Sequence, residues 1–237
     1  MSMPSWSKAA ESSAFVRKDG VTLGESIRVI LSERLMAGEY APGEKLSLRS
    51  LADALGVSMT PVREAVSRLV ADHALEVAPN RAVRVPVLNV AKFLELTALR
   101  MDIEGMAAYR AAFARDEHDL ALMSWLECEY SCEGQKARPN LDKAMVANHK
   151  LHFAIYRASK SPMLVDIIAG LWLKAGPILN IDMRASPDRL KSGHAVRSHA
   201  AAVAAMRRQD GEAARAAIAE DILIASKFII GRGVLPA

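Results

Sequence analysis

The sequence predicts a mainly α protein: an N-terminal winged helix-turn-helix of three helices and a small β-hairpin, followed by an all-α antiparallel helical bundle. Three observations predict it. The apolar residues, 51% of the chain, are rich in Ala, Leu and Met, while aromatics are only 5%, a mix that favours helices over a β-sandwich. From Val90 to Ile230 the only periodicity is helical. The period switches to short β-type runs in one place, Leu75–Val77 and Val83–Val87, separated by Ala-Pro-Asn-Arg-Ala.

The elements follow in order. Residues 1–20 are Ser-rich and aperiodic and read as a disordered tail. A first helix from Leu23 to Ala37 carries Leu23, Ile27, Ile30, Leu31 and Leu35 on one face and stops at Gly38. Ser47 caps a second, with Leu48, Leu51 and Leu55 apolar, closed by Gly56. Ser58 or Thr60 caps a third that runs to about Asp72, with Val62, Val66 and Leu69 as its stripe. The hairpin ends the first domain, 21–88. In the second, 89–232, breaks at Asp116, Arg138-Pro139-Asn140, Ser161-Pro162, Gly176-Pro177 to Pro187, and Asp210-Gly211 leave about six helices joined by mostly short loops.

Composition narrows the function. The 237 residues suffice for a large core without staples, and 24% charged residues exclude disorder. Two cysteines, Cys128 and Cys132, exclude a disulfide scaffold and fit a reducing cytoplasm; ordinary packing is expected of both. No 18 apolar residues run uninterrupted, and the first 15 lack a signal-peptide core, so no membrane partner is expected. The net charge of +4 permits nucleic acid without demanding it. Residues 21–87 hold eight basic and eight acidic side chains, but from 45 onward there are six basic against four acidic.

Two short helices joined by Gly56-Val57-Ser58 have the helix-turn-helix layout, which aims the N-terminal end of the third helix into a major groove. Its apolar stripe leaves Thr60, Arg63 and Ser67 outward. Arg63 can reach a guanine edge or a phosphate; Ser58 and Thr60 can bond phosphate near the positive helix end. Arg49 is placed to grip the backbone, and Arg81 at the wing tip to touch phosphate or the minor groove.

The bundle places polar groups on apolar stripes. Arg100 and Glu104 interrupt Phe93, Leu96, Ala107 and Ala111. Asn148 and His152 interrupt Met145, Ile155 and Ser159. His199 lies among Val196, Val203 and Met206, and Asp221 among Ala214, Ile218, Ala225 and Phe228. Buried polar groups must be paired or bind something. Two imidazoles, a carboxylate and an amide make a plausible site for a divalent metal such as Zn or Ni. Arg100 either clamps a ligand carboxylate or pairs with Glu104 at i, i+4. His149 and His194 fall off these stripes, as surface or rim. No nucleophile elbow, P-loop or dinucleotide fingerprint is present.

The run LMAGEYAPGEKLSLRSLADALGVSMTPVREAVSRLVADHALEVAPNRAVRV resembles the winged helix-turn-helix of the GntR family of bacterial transcription regulators. Residues 90–230 are similar to the FCD effector domain of its FadR-like branch, through R-x-x-x-E at Arg100–Glu104, N-x-x-L-H at 148–152 and the segment following His199. The resemblance implies DNA contacts at Arg49, Ser58, Thr60, Arg63, Asn80 and Arg81. It also implies a divalent metal at Asn148, His152, His199 and Asp221. The chain departs from the pattern at Met59 (usually Arg), Ala82 (usually Gly), Asn148 (usually Asp) and Asp221 (usually His).

The expectation is therefore a cytoplasmic, homodimeric regulator, a repressor rather than an enzyme. It would bind double-stranded operator DNA and sense a small carboxylate effector. The rivals are a metal-dependent hydrolase with Glu104 as base and an effector-blind architectural DNA binder.

Overall fold

The computed structural model describes residues 20–236 except 186–189, 191 and 192, and no side chain between 180 and 189. Helix α1, Leu23–Met36, starts where Thr22 Oγ1 accepts from the Glu25 amide at 3.2 Å. It buries Ile27, Leu31 and Leu35 against α3. β1, Lys45–Leu46, precedes α2, Leu48–Leu55, which Ser47 caps through the Ser50 amide and Gly56 closes at φ 64°. α3, Met59–Ala71, buries Val62, Ala65, Val66 and Leu69.

β2, Glu76–Val77, and β3, Val83–Arg84, form the wing, shorter than the β-type runs in the sequence. β1 joins them in a three-stranded antiparallel sheet of order β1-β3-β2, with Leu46 opposite Val83 and Glu76 opposite Arg84. The sequence gives no sign of β1, because two residues carry no period and its pairing is decided by a distant strand.

The second region comprises α4 (Val90–Ala114), α5 (Glu117–Gln135), α6 (Leu141–Ala158), α7 (Pro162–Ala185), α8 (His194–Arg207) and α9 (Gly211–Gly231). α4 lies along α9, α5 along α6, and α8 against α9 and α5. The break expected from Gly176-Pro177 to Pro187 does not begin at Gly176: α7 runs on to Ala185 with Pro177 inside the helix, and Pro187 lies outside the described residues. Proline removes one backbone bond there, but packing against α1, α4 and α6 holds the helix. Gly176 serves a close approach instead. A Cβ on it would stand 2.3 Å from the Leu35 carbonyl oxygen and 2.6 Å from that of Met36, so α7 and the end of α1 touch backbone to backbone.

Among the described residues one stretch, Pro162–Leu179 of α7, is long and apolar enough to cross a membrane, at mean hydropathy 1.4. It carries Asp166 and Lys174, and its buried face, Ile168 and Trp172 included, belongs to the core.

Candidate DNA-contacting face and interior polar site

In the N-terminal region the basic side chains divide in two. Arg28 pairs with Glu25, Arg34 with Glu39, Arg68 with Glu25 and Glu64, and Arg84 with Glu76. Lys45, Arg49, Arg63 and Arg81 are exposed and have no acid partner among the described residues. The region is neutral in sum, yet half of its cations remain available to phosphate. Lys45 escaped sequence reasoning because only the unforeseen β1 places it in the sheet.

Thr60, Arg63 and Ser67 are all exposed along α3, as their spacing requires. Ser58 is the N-cap residue, but its side chain makes no capping bond, and Thr60 is the second helical residue. The expected side-chain cap is therefore not formed, which leaves both exposed hydroxyls free to bond elsewhere. In the wing, Asn80 Oδ1 accepts from the Ala82 amide at 3.2 Å and Arg81 takes a positive φ of 63°. The left-handed residue of the turn is thus Arg81, and Ala82 does not need to be glycine.

In the bundle the stripes face inward together. His152 Nε2 lies 3.3 Å from His199 Nε2 and 3.3 Å from Asp221 Oδ2, and His199 Nε2 lies 3.8 Å from the same oxygen. All three residues are buried, and their ligand atoms fall within 4.8 Å of one another. Asn148, one helical turn before His152, is half-buried and lines a neighbouring pocket with Tyr130 and Trp172.

Behind His152 runs a hydrogen-bonded chain. Arg100 donates to both Glu104 oxygens, at 2.6 and 3.2 Å. Tyr156 donates to Glu104 and lies 2.7 Å from His152 Nδ1. The hydroxyl has one proton and gives it to the carboxylate, so it must accept from His152 Nδ1–H. That fixes the tautomer and leaves a lone pair on Nε2, aimed at His199 and Asp221. Burial pushes His152 below its ordinary value, against the pull of Asp221. Burial alone would raise Asp221; the charge of His199 and its hydrogen bond to the carboxylate outweigh it and hold the carboxyl well below its usual range. A neutral imidazole lone pair and a carboxylate converge with a second imidazole whose Nδ1 has no partner among the described residues. Such a set suits a cation, because one proton on His199 cannot satisfy both neighbours.

Two expectations change. Arg100 is held by Glu104 and stacked 4.8 Å over Trp172, so the pairing alternative describes it and the free carboxylate clamp does not. His149 is half-buried, at the rim: its ring packs on Phe153 and Trp172 and its Nε2 is buried without a partner among the described residues. Burial first, then the charge of His152, pushes it down to about 4. His194 is exposed, as expected. Cys128 and Cys132 are also exposed, Sγ atoms 3.7 Å apart, rather than packed.

Residues 23–85 match the family described as "Bacterial regulatory proteins, gntR family", and residues 95–223 match the FCD domain, more than half of the chain. The chain belongs to the GntR family, in the branch that carries an FCD domain. The HTH-type transcriptional regulator McbR of Escherichia coli is 32% identical over 84% of this chain and 89% of that protein. Its solved structure superimposes at TM-score 0.82, covering 90% of this chain and 99% of that one. A GntR regulator from Rhodococcus sp. RHA1, 21% identical, shares the fold at TM-score 0.68. GntR regulators bind operator DNA and typically act as dimers, so this protein is a DNA-binding, ligand-responsive transcription regulator.

Sequence reasoning missed Tyr156, Tyr130 and Trp172. Tyr156 was legible in principle, since it follows His152 at i+4. Tyr130, whose ring meets His199 edge-on at a centroid distance of 4.8 Å, and Trp172, 5.2 Å from His152, come from other helices and carry no local signal.

Proposed function

We propose that this GntR regulator is a homodimeric, cytoplasmic repressor without enzymatic activity, divided near residue 88 into a reading head, 21–88, and an effector domain, 89–232. Arg49, Ser58, Thr60, Arg63, Ser67, Asn80 and Arg81 contact the operator. Arg63 reads a base edge, and the others position the head on phosphate. Two heads about a helical turn apart would supply the specificity that one short helix cannot.

In the effector domain, His152, His199 and Asp221 hold a divalent metal, to which Asn148 can offer only its amide oxygen. The observation that carries this reading is the fixed His152 tautomer. The Arg100–Glu104–Tyr156 chain presents a lone pair to two further ligands in a buried space, where one proton on His199 would otherwise have to serve both the lone pair and the carboxylate. A bound metal supplies a Lewis-acid seat for the anionic group of a small carboxylate effector. Glu104 is engaged by Arg100 and Tyr156, which argues against its use as a hydrolytic base.

Elemental analysis and calorimetry with Zn²⁺ and Ni²⁺ test the metal. One ion per chain is expected in wild type, and none in a His199→Ala variant that keeps its helix content. Affinity should fall as pH drops through the histidine range near 6.5, where protons compete for imidazole. Equal, negligible uptake by both proteins would overturn the metal reading. Light scattering that shows a monomer at micromolar concentration would overturn the dimer.

A further inference from the structure

The chain has two cysteines, and both stand exposed on the outer face of α5, four residues apart. Free cysteine is among the most buried residue types, so a pair confined to one solvent face calls for a reason. The same helix buries Leu126, Tyr130 and Glu133 on its other side, where the Tyr130 ring meets His199. Cys128 and Cys132 therefore lie across the helix from the interior polar site and take no part in it.

The two Sγ atoms are 3.7 Å apart. In a tetrahedral site with metal–sulfur bonds of about 2.3 Å, two ligating sulfurs stand about 3.8 Å apart. The pair is thus at chelating distance with the helix intact. A disulfide fits less well. It needs Cβ atoms about 3.5–4.5 Å apart, whereas side chains four apart on a helix have theirs about 5–6 Å apart. Closing that bond would distort the turn. Charge points the same way. Glu127 and Glu129 both act on Cys128 through their charge. Glu129 is paired with Lys143, while Glu127 has no ion pair among the described residues. Negative charge beside the sulfurs favours a cation and opposes formation of the free thiolate that attacks electrophiles.

We propose that Cys128 and Cys132 form a two-thiolate site for a thiophilic divalent cation of the zinc group, separate from the set of His152, His199 and Asp221. The ion bonds both Sγ atoms, the two thiol protons go to solvent, and the chelate closes over one turn of α5. Water fills the remaining positions of the tetrahedron. Hard ions such as Mg²⁺ prefer oxygen ligands and do not compete. Binding holds this turn helical, because the sulfurs reach one ion together only while the backbone keeps its spacing.

The test uses the full-length, reduced protein with Cd²⁺ as the probe. Cadmium bound to thiolate gives an ultraviolet charge-transfer band, and cadmium on imidazole and carboxylate does not, so the band reports this site alone. Wild type should develop the band to saturation at one thiolate-bound cadmium per chain. Excess Zn²⁺ should remove it, and excess Mg²⁺ should leave it unchanged. Cys128→Ser and Cys132→Ser should each weaken the band-forming step at least tenfold. Both side chains are exposed, so circular dichroism of the two variants should match wild type. His199→Ala should keep the full band, which separates this site from the interior one. No band in wild type, a full band in Cys128→Ser, loss of the band in His199→Ala, or one cadmium shared between two chains overturns the proposal.

Discussion

The head and the bundle handle polar groups in opposite ways. In the head, charge is at the surface: three acid–base sets tie up half of the cations, and Lys45, Arg49, Arg63 and Arg81 stay exposed without acid partners among the described residues. In the bundle, Arg100, Glu104, His152, His199 and Asp221 are all buried, and each is answered by another buried group. Water screens the first set, so a single head charge matters little for folding and much for a phosphate partner. Nothing screens the second set, so losing one member leaves its neighbour stranded.

The sharpest way to break this contrast is Glu104→Ala. It leaves the buried Arg100 guanidinium without its carboxylate and should cost about 3–5 kcal/mol in urea unfolding. A loss below 1 kcal/mol would mean that Arg100 finds another partner or water.

Acid should act on the bundle before the head. The His149 imidazole titrates at about 4 in the fold against 6.5 when unfolded. The unfolded chain thus takes up the proton first as pH falls, so stability is complete above pH 6.5 and declines toward pH 4. The contribution is up to about 3 kcal/mol. Melting temperatures measured across that window should decline less steeply for His149→Phe than for wild type; parallel curves would assign the acid sensitivity elsewhere.

For the head the sensitive readout is DNA. Arg63→Ala should weaken binding to a selected operator by about 1–3 kcal/mol while leaving the melting temperature within a degree or two. Unchanged specific affinity would mean that the face of α3 carrying Thr60, Arg63 and Ser67 does not enter the groove.

The smallest effect tests the neutralised half. Glu25→Gln releases Arg28 and Arg68 from a partly exposed carboxylate, so the stability loss should stay within about 1 kcal/mol. Non-specific DNA affinity should rise and its salt dependence steepen. A flat salt dependence would place those two arginines away from the duplex.

Most of the framework was legible because it rests on local chemistry. Ser47, Gly56 and the stripe of Val62, Val66 and Leu69 specify the two short helices within a few residues. Arg100, Glu104, His152, His199 and Asp221 announced themselves by standing where a helical period demands apolar side chains, and all five are buried. The Gly176-Pro177 pair shows the limit. Both residues break helices on average, yet here glycine admits the backbone of α1 and packing on three helices outweighs the bond lost at proline.

By itself, then, the sequence determined the element types, the inward-facing polar set and the outward residues of α3, since each depends on neighbours within one or two turns. The tertiary structure alone decided that β1 completes the sheet, that His152, His199 and Asp221 meet within 4.8 Å, and that Arg100 lies on Trp172. It also decided that the end of the head helix closes a pocket against α7. Those relations join residues far apart in the chain, and the packing of whole helices sets their distances, which no local period encodes.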